Sequence, residues 1–173
     1  MLKKLKTISQ EIIHENPWWK LRHDRYEMPN GKESDYFFGV TPGSVMIVPV
    51  MPDGRIIMVV QYRYINQKQS TEFPCGGRKE GEDFSVAVTR ELLEETGCTA
   101  DEVIEVGRFQ PSNGLLDDEM HVYLAHINQC GEVQPEEDEE FEVMYRRPDE
   151  IDEMIERGDI WCGETLAAWA MVR

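Results

Sequence analysis

The chain has 173 residues and carries 34 acidic against 18 basic side chains, which gives a formal net charge of −16. This length suits one domain, because a chain of this size buries enough apolar surface to fold without cross-links. The charge repels nucleic-acid phosphate and disfavours a nucleic-acid partner. No apolar run reaches the length of a membrane helix, so we expect no membrane contact and a cytoplasmic location.

The first 42 residues predict a small strand-rich part. Aromatic and charged residues alternate irregularly there, and Asn30-Gly31 is a strong signal for a hairpin turn. Two runs of β-branched residues follow, "SVMIVPV" and "RIIMVVQYR", joined by the turn residues "MPDG". We predict an antiparallel pair from these runs. The second run is apolar on both faces, which is typical of a central strand.

A glycine-rich loop leads into a helix that ends at Gly97, because glycine adopts the left-handed C-terminal cap. The segments "VIEVGRF", "HVYLAHI" and "FEVMYRR" predict further strands, and the last follows the acidic run "PEEDEE". Two helices are predicted at the end of the chain, from Pro148 to Arg157 and roughly from Glu164 to Val172. Because strands and helices lack a regular βαβ alternation, we expect an α+β fold with helices packed on a mixed sheet.

The cysteines are scattered along the chain and form no CxxC pair; they are Cys75, Cys98, Cys130 and Cys162. This spacing predicts neither a zinc site nor a compact disulfide framework. We therefore expect reduced thiols, and the spacing leaves a single regulatory disulfide open as the alternative.

The predicted helix crowds three carboxylates, those of Glu91, Glu94 and Glu95. Like charges three or four residues apart destabilise a helix by about 0.2–0.5 kcal/mol per pair, so either water solvates them or a positive group lies over them. The helical period predicts an acidic face opposite an apolar one that contains Val86, Val88, Leu92 and Leu93. Carboxylates beside a glycine loop suit Mg²⁺ and phosphoryl chemistry. A solvated surface and a calcium or docking surface are the alternatives.

The stretch from Gly76 to Cys98 resembles the Nudix box, G-x5-E-x7-R-E-U-x-E-E-x-G-U, where U is aliphatic. Every fixed position matches, and only the last place departs, since it holds the small thiol of Cys98. The segments "VVQYRY", "EFPCGG", "FQPSNG…DDEMHVYLA" and "EEDEEFEV" are similar to the branch that hydrolyses ADP-ribose and related nucleoside diphosphate sugars. The resemblance implies a metal-dependent hydrolase that releases a nucleoside monophosphate and a sugar phosphate.

The resemblance also implies the architecture. It predicts a Nudix domain over 43–173, an α/β/α sandwich with a mixed β-sheet, and an N-terminal β-rich segment over 1–42 that forms a homodimer.

The resemblance further implies the metal ligands and the catalytic groups. Mg²⁺, or Mn²⁺, would be held by the three glutamates of the helix and by the backbone carbonyl of Cys75. Glu82 and Arg90 would support the loop and the helix. The proton of the attacking water would pass to Glu137, to Glu139 or to a box glutamate such as Glu94.

For the substrate, the resemblance implies contacts from Arg63, Glu72 and Pro111, with Arg63 at the phosphates. A plain surface ion pair is the alternative for Arg63. Trp18 or Trp19 is a candidate to stack on a nucleobase, although burial in the core or in a dimer interface is the favoured interpretation. GDP-mannose, a dinucleotide or capped RNA are alternative substrates. A sensor that binds a nucleotide sugar without turnover is the rival from another class.

Overall fold

The structure is a computed structural model that describes residues 3–133 and 140–173. Its strands are β1 (Lys6–Glu15), β2 (Lys20–Glu27), β3 (Glu33–Val40), β4 (Ser44–Val50), β5 (Ile56–Arg63), β6 (Lys68–Glu72), β7 (Cys75–Gly77), β8 (Cys98–Phe109), β9 (Leu116–Asp117), β10 (Met120–Cys130) and β11 (Glu142–Arg146). Its helices are α1 (Phe84–Thr96), α2 (Pro148–Glu156) and α3 (Gly163–Val172). None of the helices in the described ranges is long and apolar enough to cross a bilayer.

The strands form two sheets. The first has the order β1-β2-β3-β9, and the predicted hairpin joins β2 to β3 with Gly31 at a φ of 80°. The second has the order β11-β5-β4-β10-β8, with β6 paired to β5 and β7 paired to β4. Within it β10 runs parallel to β4 and antiparallel to β8, so the predicted mixed sheet is confirmed. The first sheet takes β9 from beyond residue 43, and the division of the chain at 42/43 stays a prediction.

Helices cover both faces of the second sheet, because successive side chains of β4 point to opposite faces. Val45 and Ile47 pack in one core cluster with Val88 and Leu92 of α1. The alternate residues of β4 pack in the other cluster with side chains of α2 and α3, such as Ile151. The expected α/β/α sandwich is therefore confirmed.

The predicted division of α1 into an apolar face and an acidic face is wrong. Val88 and Leu92 are buried, but so are Glu91 and Glu95, which are 7% and 2% exposed, whereas Val86 is 55% exposed. The reason is the way α1 lies on the sheet: it also packs beside β7, and that contact covers the side of the helix that carries Glu91 and Glu95.

The expectation of four reduced cysteines is wrong for two of them. The antiparallel register of β8 and β10 places Cys98 opposite Cys130, with a Cα–Cα distance of 3.9 Å, and the two form a disulfide. Cys75 and Cys162 are free thiols. The pairing follows from strand register across 32 residues of sequence, which the cysteine spacing alone does not encode.

Candidate active site

The loop before α1 is fastened to the helix by Arg90. Its guanidinium donates through Nε and Nη2 to the two carboxylate oxygens of Glu82, each at 3.1 Å, and Nη2 also donates to the carbonyl of Gly77 at 3.0 Å. Asp83 caps the start of α1 by accepting a hydrogen bond from the backbone N–H of Ser85. These contacts hold the loop in place against the helix that carries the carboxylates.

The same guanidinium is the positive group over the acidic side of α1. Nη1 of Arg90 donates to Oε1 of Glu91 at 2.7 Å and to Oε2 of Glu94 at 2.9 Å. Its hydrogen bonds, first with Glu82 and then with Glu91 and Glu94, hold the pKa of Arg90 above its usual range, and the pKa of Glu82 is lowered in return. One arginine therefore offsets the repulsion among several carboxylates.

The short strand β7 forms the opposite wall of this site. Oε2 of Glu95 accepts a hydrogen bond from the backbone N–H of Cys75 at 3.3 Å. A Cβ on Gly76 would lie 2.2 Å from the carboxyl carbon of Glu91, so any other residue there would require the Glu91 carboxylate to move. Carboxylate and carbonyl oxygens thus converge where β7 meets α1.

This donor set fits a hard divalent cation, which prefers oxygen ligands. In 3–133 and 140–173, however, no three acidic, cysteine or histidine side chains converge at metal-binding distance. The guanidinium of Arg90 donates hydrogen bonds to Glu91 and Glu94 instead. A metal therefore requires Nη1 of Arg90 to leave these two carboxylates, while its contacts with Glu82 and Gly77 keep the loop in place.

A cavity of about 410 Å³ opens over this acidic site and extends to the first sheet. Trp18 lines it and is 71% exposed, while Asp118 on its wall accepts a hydrogen bond from Oγ1 of Thr41 at 2.6 Å. Trp19 lies outside this cavity and contacts the ring of His14. Core burial of the two tryptophans is wrong, because both follow a tight turn on the surface at Asn16.

Three of the predicted substrate-binding residues meet in a second cavity of about 560 Å³, lined by Arg63, Glu72 and Pro111. Arg63 donates to both carboxylate oxygens of Glu72, through Nε at 2.8 Å and through Nη2. The side chain of Glu72 is 1% exposed, so the alternative of an ion pair for Arg63 is observed, in a buried form. The hydrogen bond with Glu72 raises the pKa of Arg63 beyond its usual range.

Cys75 lies between the two cavities. Its backbone N–H bonds to Glu95, and its thiol lies 3.9 Å from Nη2 of Arg63 and 4.0 Å from Oε2 of Glu72. Burial is the main cause that raises the pKa of this thiol, which disfavours the thiolate form. The backbone of Cys75 contacts a carboxylate of α1, and its side chain contacts Arg63 and Glu72, two residues that line the second cavity.

Sequence pattern did not identify the residues that α3 and the segment before it bring to the second cavity, such as Trp161, Cys162 and Glu164. Burial and the neighbouring carboxylate of Glu72 raise the pKa of Glu164. No local signal could have found Glu164, because an acid in the first turn of a helix is an ordinary match to the helix dipole.

The predicted catalytic base does not fall in the described part of the chain. Glu137 and Glu139 both lie outside 3–133 and 140–173. The strand that follows them, β11, pairs with β5 from Glu142 opposite Val60.

Comparison with known proteins adds family matches to this geometry. The model of the NUDIX domain matches residues 40–168, and that of the nucleoside diphosphate sugar hydrolase N-terminal domain matches residues 5–38. The chain is 34% identical to an ADP-ribose pyrophosphatase of Bacillus subtilis (strain 168) over 165 residues, which are 94% of this chain and 89% of that protein. It is 37% identical to a methanol dehydrogenase activator of Bacillus methanolicus over 120 residues, 69% of this chain and 65% of that protein.

A solved structure described as an ADP compounds hydrolase has the same fold. It superposes with a TM-score of 0.87 at 21% sequence identity, over 100% of this chain and 94% of that chain. At this identity the likeness concerns the fold alone.

Proposed function

The chain belongs to the NUDIX domain family, and from this membership we propose that it hydrolyses the diphosphate bond of ADP-ribose or a related nucleoside diphosphate sugar. The products are a nucleoside monophosphate and a sugar phosphate. The relative from Bacillus subtilis that is similar over most of the chain is an ADP-ribose pyrophosphatase. The observation that carries the proposal is that α1 packs beside β7 and carries Glu91, Glu94 and Glu95, with Arg90 as the exchangeable positive charge.

Nudix hydrolases generally need divalent metal ions, and we propose Mg²⁺, with Mn²⁺ as a substitute. The carboxylates of Glu91, Glu94 and Glu95 and the backbone carbonyl of Cys75 would hold it. When bound, the ion neutralises charge on the diphosphate and lowers the pKa of a water molecule.

The protein's own groups then position the substrate and accept the proton. Among the described acids of the site, Glu94 has the more accessible side chain, 23% exposed against 9% for Glu91, so it can reach a water in the cavity. Glu137 and Glu139 remain the predicted bases on the acidic run, and they need only take one proton and orient the oxygen.

For the nucleobase we propose Trp18 as the stacking partner. It lines the cavity over the acidic side of α1, which Trp19 does not. An exposed indole at the mouth of a cavity offers a large flat surface for a base.

We also propose a homodimer formed by the first sheet. All ten residues of β1 are exposed, and the strand lies at the edge of its sheet with Ile8, Ile12 and Ile13 each 41–46% exposed. An edge strand with apolar side chains in water favours pairing with another chain. Light scattering should give twice the chain mass, and Ile12→Lys should shift the mass toward a monomer.

The test of the proposed function is a panel of ADP-ribose, GDP-mannose, UDP-glucose, NADH and a capped RNA, with and without Mg²⁺. Chromatography resolves the released products. Metal-dependent release of AMP from ADP-ribose supports the proposal, and release from another member alone reassigns the substrate. Binding without turnover across the whole panel would instead favour the sensor.

A further inference from the structure

The cavity at the start of α3, which we call the α3 cavity, is defined by Arg63, Asn66, Glu72, Pro111, Trp161 and Glu164 among its lining residues. It shares no lining residue with the cavity that contains Trp18. The thiol of Cys75 lies 3.9 Å from Nη2 of Arg63, which lines the α3 cavity, while its backbone N–H bonds to Glu95 of the acidic site. A substrate whose diphosphate lies at the acidic site would extend one end toward Trp18 and the other past Cys75 toward α3.

The cations at the α3 cavity are engaged by neighbouring side chains. Both carboxylate oxygens of Glu72 bind the guanidinium of Arg63, and Glu72 is almost fully buried. The nearby cation Lys68 lies over the ring of Trp161, with Nζ 3.9 Å from the ring centroid. Glu164 is the remaining acid of the lining.

Trp161 is held in a fixed orientation at the wall. Its indole N–H donates to the backbone carbonyl of Gln69 at 3.3 Å, and Lys68 covers the ring. The start of α3 is fixed in turn, because Oγ1 of Thr165 accepts a hydrogen bond from the backbone N–H of Phe73. The cavity wall is thus tied to the segment between β6 and β7 that leads to the acidic site.

Glu164 is the acid of this wall that lacks a hydrogen-bond partner. Its side chain is half-buried and lines the cavity, and it makes no hydrogen bond or ion pair with any residue in the described ranges. An ionised carboxylate only accepts hydrogen bonds, so its partner must bring donors. Acidic side chains bind the hydroxyl groups of ribose in this way in nucleotide-binding proteins.

We propose that the α3 cavity receives the sugar of the sugar-phosphate half of the substrate, and that Glu164 selects it by accepting hydrogen bonds from its hydroxyl groups. This inference rests on the proposed hydrolysis and names which end of the substrate lies where. Glu164 is then a residue that determines specificity for the sugar. It takes no part in breaking the diphosphate bond.

The test compares wild type, Glu164→Gln and Glu164→Ala on ADP-ribose and on the methyl ester of ADP, which has no sugar beyond the diphosphate. We expect Glu164→Ala to raise KM for ADP-ribose about tenfold, the scale of a lost hydrogen bond to a charged group. We expect kcat to change less than about twofold, because the interaction is the same before and during reaction. Glu164→Gln keeps one acceptor and should fall between, and kinetics on the methyl ester should not change.

Product inhibition gives an independent readout. Ribose 5-phosphate should inhibit Glu164→Ala about tenfold more weakly than wild type, while inhibition by AMP stays the same. The matched control is Asp149→Asn, because Asp149 holds the same second position of α2 and is exposed. It reports what the loss of one helix N-terminal charge, together with its ion pair to Arg147, does to thermal stability and kinetics without touching the cavity.

Three results would overturn the inference. The first is weaker inhibition by AMP with no change for ribose 5-phosphate, which would assign the cavity to the nucleoside. The second is an unchanged KM for ADP-ribose, and the third is an equal loss on both substrates. If wild type turns over no substrate, the proposed hydrolysis fails, and calorimetric binding of ribose 5-phosphate to wild type and Glu164→Ala still decides the role of the cavity.

Discussion

Two arginines hold carboxylates on either side of Cys75, and they do so in opposite ways. Arg90 is shared among Glu82, Glu91 and Glu94, whereas Arg63 is engaged by Glu72 alone. Because three carboxylates share Arg90, a divalent ion can displace it from one of them without leaving the arginine unpaired. In the second site Arg63 pairs with one carboxylate, which is buried. The two sites therefore differ in how many carboxylates share one guanidinium.

The largest effect is expected from a substitution in the acid-rich site, which is the group of carboxylates around Arg90. Glu94→Gln removes one carboxylate from the proposed metal ligands and should lower Mg²⁺-dependent turnover about a thousandfold, or about 4 kcal/mol in activation free energy. Steady-state kinetics measures it, and circular dichroism should show an unchanged fold. Glu102→Gln, an exposed acid on β8, is the control and should keep full activity. Unfolding of Glu94→Gln would mean that the acid is structural.

The disulfide between Cys98 and Cys130 lies just beyond the end of α1. It closes a loop with a sequence separation of 32, so its reduction should lower the free energy of unfolding by about 3–4 kcal/mol in the chain-entropy account. Urea unfolding with and without reductant measures the change. The double variant Cys98→Ala/Cys130→Ala should not respond to reductant, and a response would point to Cys75 or Cys162.

Breaking the ion pair between Arg63 and Glu72 should affect stability more than catalysis. Arg63→Met leaves the buried carboxylate of Glu72 without its partner and should lower the free energy of unfolding by about 3 kcal/mol. We expect the lower end of the range for removing one partner of a buried ion pair, because the side chain of Arg63 is 38% exposed. Urea unfolding again gives the value. Adding Glu72→Met to this variant should recover most of the loss, and no recovery would show that the two residues act independently.

The smallest expected effect is stabilisation by the metal, and it should differ between variants of the two sites. Mg²⁺ at ten times its Kd should stabilise wild type by about 1.4 kcal/mol, because it binds the folded state alone. Arg63→Met should keep this gain and Glu94→Gln should lose it, as thermal unfolding with and without the metal would show. Equal gains in the two variants would place the ion elsewhere.

Much of the fold follows from local pattern. The hairpin at Asn30-Gly31, the cap at Gly97 and the strand runs around residues 44–63 each depend on neighbouring residues, and all are confirmed. The assignment of α1 faces failed, since the period of a helix says which residues share a side and leaves open what packs against that side. Here β7 covers Glu91 and Glu95, and Val86 lies in solvent.

The sequence by itself determined the family, the order of the elements and the spacing that brings three glutamates onto one helix. The tertiary structure alone decided that Cys98 forms a disulfide with Cys130 and that Arg63 pairs with the buried Glu72. It also decided that Glu164, from near the end of the chain, lines the same cavity as that pair. The physical reason is the distance along the chain between the contacting residues. Spacing encodes contacts within one element, whereas contacts between distant elements depend on strand order, register and the packing of helices on the sheet.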